Sequence, residues 1–514
     1  MPTQEPAPPV AHSIRAENAP PPVAPPDADE PAARKHAARV LALGSLGVFV
    51  VFLDTTIVNV AFETISRSFD TTTGHLSWVL NAYSLVFAAA LIPAGRMADR
   101  YGRKRVFLIG LAGFALFSAV CGVAPNVGLL IAARALQGAF AALVVPSSLA
   151  LVLPEFPAAR RHVAIGTWGA MGAAAAALGP TLGALLTEYA SWRWIFLINV
   201  PICAAMIFFG LRLLRESREP RSAGLPDPIG ALLVAAVPAF LSFAIIEGPS
   251  WGWADPRVIT AFVLSAALLP VFVWRSATAA RPVMDLALFK VRQFSLVNAA
   301  TLLFATAFYG MLLSNTLFLQ NEWHYSVLRA ALGATPAPLV VVATARPASK
   351  LAARIGHRPV LLAGAIAWAV GATLFAVFVD GSPHWATHWL PASLIIGLGI
   401  GLTLPVQSGA AVASLPPARL ALGSAVATSF RQVGSVLGIS VFVAIIGAST
   451  GASAISAYHH VWWTFAALTL ASGLVLFVPR LRRTGEPAAP SGEPATAARQ
   501  PGSSAVVEAR LRAR

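Results

Sequence analysis

Long apolar stretches recur along the 514-residue chain and constrain its fold more than any other feature. About 20 consecutive apolar residues form a helix long enough to cross a bilayer. Inside a bilayer such helices satisfy their own backbone polar groups, so the pattern predicts an all-α polytopic membrane protein embedded in lipid. Fourteen spans are predicted, with centres near Val50, Val86, Phe114, Ala141, Ala175, Met206, Pro238, Ala267, Tyr309, Val341, Val370, Gly399, Val436 and Leu470.

Composition and motifs exclude several function classes. The chain is 57% hydrophobic and only 11% charged, whereas soluble domains have about 25% charged residues. Its net charge of +15 lies in short clusters between spans, where it acts as a topology signal, so no nucleic-acid partner is expected. There is no GxxxxGK[ST] stretch, no nucleophile–base constellation and no histidine spacing typical of a metal site. We therefore predict no enzyme activity, no metal and no cofactor.

Lysine and arginine residues in the short loops predict the orientation of the spans. With the N-terminus in the cytoplasm, the loops at 95–105, 160–161, 212–221, 275–292 and 350–358 are all cytoplasmic and basic. The opposite loops hold only Arg67, Arg193, Arg257 and Arg329. The sequence therefore predicts an even number of spans in the inner (cytoplasmic) membrane, with both termini in the cytoplasm.

An internal repeat divides the chain into halves. The segment Gly95–Lys104 follows the second span, and the similar segment Ser349–Arg358 follows the tenth. Both lie on the predicted cytoplasmic side, which is typical of a parallel repeat of two six-helix bundles. We predict bundles at 37–215 and 293–479, two extra central spans at 226–277, and disordered cytoplasmic tails at 1–36 and 480–514.

A few polar and charged side chains lie within the predicted spans. Asp54 in the first span and Arg134 in the fourth fall at similar depths, and Gln137 follows Arg134 by one helical turn. A buried charge costs roughly 2.5–3.5 kcal/mol on insertion scales, so we expect these residues to face a central cavity as an ion pair or proton relay. Local pairing or snorkelling remains the alternative. Asn59 and Arg431, in the first and thirteenth spans, are further candidates.

The loop sequence GRMADRYGRKR, Gly95–Arg105, is the most specific local signal. Its acid lies among cations, which suggests a cytoplasmic gate whose charge pairs form in one state and break in another. A simple positive-inside anchor is the alternative. The second copy has Ala353 where the first has its acid, which predicts a weaker second gate. The gate candidates are Gly95, Asp99, Arg100, Gly102, Arg103 and Lys104.

The fifth span is rich in small residues and contains a proline. Glycines at helical spacing allow close helix approach, and a proline bends the helix. We select Gly172, Gly179, Pro180 and Gly183 as a bending, leak-sealing element, with tight packing alone as the alternative.

These motifs resemble a known family. LDTTIVNVAF, GRMADRYGRKR, RALQG, LGPTLG, WRWIFLINVP and FRQVGSVLG are similar to the fourteen-helix drug/proton antiporter branch of the major facilitator superfamily, the EmrB/QacA-like exporters. The resemblance covers about Val40–Val478. It implies that Asp54 binds protons or cationic substrate, that Arg134 serves proton transfer, and that Asp99 and Arg103 form the gate. Phe140 stands where the family pattern of the fourth span has a second glycine.

Together these features predict an exporter of small hydrophobic or cationic compounds, including antibiotics. It would be driven by a proton gradient and work by alternating access. One alternative is a transporter for a single metabolite or natural product. A second, from a different class, is a non-transporting membrane receptor or scaffold.

Overall fold

The computed structural model describes residues 31–157, 160–218, 227–280, 282–415, 420–447 and 452–478. Residues 1–30 of the predicted N-terminal tail and the whole predicted C-terminal tail, 480–514, lie outside this part. The first helix begins at Pro31, so residues 31–36, which the sequence assigned to the tail, are helical.

The described residues form helices and no strands. The sixteen α-helices of this part are α1 Pro31–Phe69, α2 Thr73–Tyr101, α3 Arg103–Gly122, α4 Val127–Val152, α5 Arg161–Tyr189, α6 Trp194–Leu197, α7 Asn199–Leu213, α8 Pro228–Trp251, α9 Pro256–Thr278, α10 Arg292–Asn321, α11 Val327–Ala334, α12 Pro336–Ile355, α13 His357–Phe378, α14 Leu390–Val412, α15 Leu420–Ile446 and α16 Ala452–Leu474. Short 3₁₀ segments follow α4, α9 and α16, and a π-helical turn, Trp385–Trp389, precedes α14.

Thirteen of the predicted spans are confirmed as helical stretches long and apolar enough to cross a membrane. Two of these stretches are interrupted: the sixth consists of α6 and α7, and the tenth of α11 and α12. The predicted fifth span coincides with α5, a 29-residue helix that is not among the thirteen. The all-helical class is therefore confirmed, while the total of fourteen spans remains a prediction.

Most helix contacts fall within two groups. Before the central pair, α1 packs on α5, and α4 packs on both α2 and α3. After it, α10 packs on α15 and α16, while α14 packs on α12 and α13. The groups meet mainly where α2 contacts α15 and where α5 contacts α11. Two six-helix bundles would produce this pattern, although their residue limits remain predictions.

The central pair, α8 and α9, forms a hairpin beside the contact between the groups. The two helices pack on each other, and α8 also contacts α2 and α15. Asp227 caps α8 by accepting a hydrogen bond from the Ile229 N–H at 3.1 Å. Its carboxylate also takes a two-pronged ion pair from Arg275 of α9, at 2.7 and 3.0 Å. The hydrogen bonds from Arg275 lower the pKa of Asp227 below its ordinary value.

Replacing Asp227 with asparagine is expected to loosen this hairpin. Asp227→Asn removes the charge that binds Arg275 across two helices, so the thermal unfolding temperature in detergent should fall. Asp255→Asn is the matched control, because Asp255 also caps a helix that begins with proline, and its ion pair is with Arg257 of the same helix. The control should lower the temperature less; an equal loss would mean that the ion pair between α8 and α9 adds no stability of its own.

The same ion pair should depend on pH. Because the pKa of Asp227 is lower in the folded protein, its contribution is complete above the unfolded pKa of about 3.9. It is lost as the pH falls below that value.

Candidate functional site

Asp54 lies at the centre of a buried hydrogen-bond network between α1, α4 and α7. One carboxylate oxygen, Oδ2, accepts a hydrogen bond from Arg134 Nη1 at 2.5 Å. The other, Oδ1, accepts from Gln137 Nε2 and from Asn199 Nδ2, both at 3.0 Å. Asp54 and Gln137 are 0% exposed and Arg134 is 1% exposed. The structure therefore brings together three of the residues selected from the sequence.

Arg134 is held on several sides. Its Nη1 also donates to Gln137 Oε1 at 2.7 Å, and its Nε donates to the Val79 carbonyl at 3.1 Å. The ring of Tyr83 lies 4.1 Å from the guanidinium carbon, which is the geometry of a cation–π contact. These contacts offset the cost of a cation inside the protein and hold its direction toward Asp54.

Glycines allow each of the two helices that carry the ion pair to lie close to a neighbouring helix. A Cβ atom added at Gly138 of α4 would lie 2.5 Å from the Tyr83 carbonyl oxygen of α2. On α5, a Cβ at Gly183 would lie 2.8 Å from the Ile57 carbonyl oxygen of α1, and one at Gly179 would meet Thr56 Oγ1. Gly172 borders Phe52 at ordinary contact distance. Gly172, Gly179 and Gly183 of α5 thus pack against the helix that holds Asp54.

Pro180 lies within α5, which continues as a helix on both sides of it. It is buried, as are its neighbours Gly179 and Gly183. The role of this segment as a bending and sealing element remains a prediction.

Two members of the network were missed from the sequence. Asn199 begins α7 after a short irregularity at Ile198, and its amide also donates to Ser118 Oγ at 3.0 Å. Ser118 in turn donates to the Phe196 carbonyl at 2.8 Å. Asn199 is a polar residue within the apolar part of the motif WRWIFLINVP. Because polar residues are costly in a span, this position could have indicated a functional role.

A small cavity adjoins the network between the two helix groups. Its volume is about 10 Å³, roughly the space that one water molecule needs. The polar side chains that line it include Thr55, Asn59, Tyr83, Arg134, Tyr309 and Ser435. Arg134 therefore reaches both the cavity and Asp54.

Asn59 and Arg431 lie outside the Asp54 network. The Asn59 amide donates to the Thr55 and Thr56 carbonyls of its own helix, both at 3.2 Å, and borders the cavity. Arg431 of α15 reaches across to α1, where its guanidinium carbon lies 5.3 Å from the centre of the Phe52 ring. Arg431 thus faces the junction of the groups without joining the ion pair.

The predicted gate residues lie where α2 ends and α3 begins. Arg103 Nη2 contacts Asp99 Oδ1 at 2.9 Å, and Gly102 between the helices has a φ of +112°, which favours glycine. Lys104 Nζ donates to the Leu211 and Leu214 carbonyls at the end of α7, both at 2.8 Å. Arg100 stacks on its neighbour Tyr101, and Gly95 borders Pro146 of α4.

Glu216, which the sequence did not single out, completes this segment. Its carboxylate accepts hydrogen bonds from the Lys104 and Arg105 N–H groups, both at 3.1 Å. An anion at the first turn of a helix is favoured by the helix dipole. A Cβ atom at Gly102 would lie 2.6 Å from this carboxylate, so only glycine leaves room for it. The predicted gate segment is therefore bound to the end of α7 and the residues that follow it.

Phe140 is accommodated by a glycine on the neighbouring helix. A Cβ atom added at Gly113 of α3 would collide with the Phe140 ring, which also stacks on Phe117 at 5.5 Å. The Phe140 side chain, which stands in place of the family's second glycine, thus fits between α3 and α4.

Comparison with known proteins places the chain in a family. Residues 44–315 and 297–512 match the family model described as Major Facilitator Superfamily. The chain is 36% identical over 405 residues to the multidrug resistance protein Stp of Mycobacterium tuberculosis (strain CDC 1551 / Oshkosh), covering 78% of this chain and 74% of the relative. It is 32% identical to the methylenomycin A resistance protein of Bacillus subtilis (strain 168), covering 79% of this chain and 87% of the relative.

Solved structures share the fold. The nucleoside transporter NupG superposes with a TM-score of 0.58 at 14% identity, over 87% of this chain and 99% of NupG. At that identity the likeness concerns the fold alone. Together with the family match and the resistance proteins, it identifies a membrane transporter, not an enzyme. The chain belongs to the major facilitator superfamily, in its drug exporter branch.

Proposed function

We propose that this transporter exports small lipophilic compounds in exchange for protons, with Asp54 as the proton-binding group. The observation that carries the proposal is the fully buried ion pair of Asp54 and Arg134 at the wall of the central cavity. A carboxylate inside a span is costly, and such residues in transporters commonly serve proton transfer. Relatives named for resistance to methylenomycin A and puromycin favour export of such compounds.

The coupling would act through the hydrogen bonds of Asp54. While the carboxylate is ionised, donors from α4 and α7 converge on α1. A proton taken up from the outer side neutralises the carboxylate and weakens these charge-assisted bonds. Arg134 is then free to turn toward the cavity, and the three helices can rearrange. Release of the proton to the cytoplasm restores the ion pair.

Movement of the helices is required because the cavity is too small for a substrate. A drug-sized ligand occupies a pocket of roughly 300–1,000 Å³, and this cavity has about 10 Å³. The contacts of α2 with α15 and of α5 with α11 join the two groups, so they are where alternating openings would form. The gate segment at Asp99–Lys104 would face the cytoplasm, following the positive-inside rule.

Transport by purified protein in liposomes tests the proposal. Liposomes with an acidic lumen should accumulate lipophilic fluorescent compounds, because protons leaving the lumen drive the compound inward. An ionophore that dissipates the pH gradient should abolish accumulation. Liposomes without protein measure passive partitioning. Accumulation that ignores the pH gradient would exclude proton coupling, and no accumulation of any compound in the panel would argue against export of lipophilic molecules.

A further inference from the structure

We propose that the substrate site prefers lipophilic compounds that carry a negative charge or an electron-rich polar end over lipophilic cations of the same size. This inference rests on the proposed function, because it specifies the substrate class of the same cavity. It follows from how the charged side chains around the cavity are paired.

The buried acid is not free to receive a cationic substrate. Both oxygens of Asp54 are occupied by donors from Arg134, Gln137 and Asn199, and the side chain has no exposed surface. A cation that entered the cavity would meet Arg134, which stands between it and Asp54. It would have to displace this arginine from three hydrogen bonds and two ring contacts before it could reach the carboxylate. The pair as a whole presents no net charge.

Arg431, by contrast, has no partner of opposite charge in the described part of the chain. None of the ion pairs there includes it, and its Nε atom is buried without a hydrogen-bond partner. The centre of the Phe52 ring lies 5.3 Å from its guanidinium carbon. Arg431 is half-buried within a span, and a cation there without a counterion is costly, which indicates that a group outside the chain compensates it in the transport cycle.

The position of Arg431 connects it to the cavity. Ser435 and Ile439, one and two helical turns further along α15, line the cavity. Arg431 therefore lies on the same helix face, one turn beyond the cavity wall.

Gln432, the residue after Arg431, adds hydrogen-bonding groups that have no partner among the described residues. Gln432 is 0% exposed, and neither its amide nitrogen nor its oxygen has a partner among the described residues. Polar groups buried in a protein are nearly always paired, so each exception needs an explanation. The electron-rich end of a substrate beside Arg431 would supply an acceptor to Gln432 when the helices open.

The net charge of the three side chains favours anionic over cationic substrates. The Asp54–Arg134 pair contributes one charge of each sign, and Arg431 contributes one uncompensated positive charge. Away from water a single charge acts strongly on ligands because the effective dielectric constant is low. The site should therefore repel permanent cations and attract anions and strong acceptors.

Tetraphenylborate and tetraphenylphosphonium provide a matched test, because they have nearly the same size and shape and opposite charges. Binding to the purified full chain in detergent should be measured by calorimetry. We expect the anion to bind at least about tenfold more tightly than the cation. Arg431→Gln should weaken binding of the anion and so abolish most of this difference in affinity. Arg431→Lys should retain most of the difference. Arg346→Gln, which removes an exposed arginine of α12, should leave the ratio unchanged.

Two outcomes would overturn the inference. One is tighter binding of tetraphenylphosphonium by the wild type. The other is a ratio that Arg431→Gln does not alter. Because binding is measured without a pH gradient, either result can be told apart from failure of proton-driven transport. Anion preference without proton-driven transport would refute the coupling alone.

Discussion

Proton-driven accumulation should fall to the level of protein-free liposomes when Asp54 is replaced by asparagine. Asparagine has nearly the same shape and can still accept a hydrogen bond from Arg134, but it cannot bind and release a proton. Exchange of labelled for unlabelled substrate across the membrane needs no net proton movement, so it should persist. Measuring both activities on the same preparation separates loss of coupling from loss of folding.

The matched control for this variant is Glu63→Gln. Glu63 lies on the same helix as Asp54, but it pairs with Arg67, whose side chain is 74% exposed. An ion pair that exposed contributes little. This variant should therefore transport like the wild type. Accumulation by Asp54→Asn at the wild-type rate would show that the proton is carried elsewhere.

The second large effect concerns stability. Arg134→Met should destabilise the protein by about 3–5 kcal/mol, because it leaves the Asp54 carboxylate buried without its counterion. The double variant Asp54→Asn with Arg134→Met should recover most of this loss, since neutral groups of similar size can replace a buried ion pair at little cost. Neither variant should show proton-driven accumulation.

Thermal unfolding can be followed in these variants with a thiol-reactive fluorescent probe. Both cysteines, Cys121 and Cys203, are free and buried, so they react only as the protein unfolds. Arg134→Met should unfold at a lower temperature than the wild type, and the double variant at an intermediate or nearly wild-type temperature. Equal loss in the single and double variants would mean that packing around Arg134, for example against Tyr83, outweighs its charge.

The pairing of Asp54 with Arg134 could be expected from the sequence because both residues occupy similar depths in their spans. Depth follows from counting residues at 1.5 Å per residue along a helix. Which way a side chain points around the helix axis does not follow from this count. Arg431 shares the feature of a charge within a span, yet its guanidinium faces Phe52 and not Asp54.

The contacts of Asn199 and Glu216 could not be predicted from the sequence. Each acts on a residue about a hundred positions or more away in the chain, Asn199 on Asp54 and Glu216 on Lys104. Such contacts depend on which helices become neighbours, and local composition carries no information about that choice. The apolar setting of Asn199 marked it as unusual, whereas nothing distinguished Glu216 from the other charges of its loop.

The sequence by itself determined the membrane class, nearly all of the spans and the residues that carry charge within them. These follow from local physics, because a bilayer requires about 20 apolar residues per span and makes every internal charge costly. Only the tertiary structure decided how those charges are compensated. It surrounds Asp54 with donors from α4 and α7 and leaves Arg431 without a counterion among the described residues. The rotation and packing of the helices decide which side chains meet. Both depend on contacts between segments far apart in the chain.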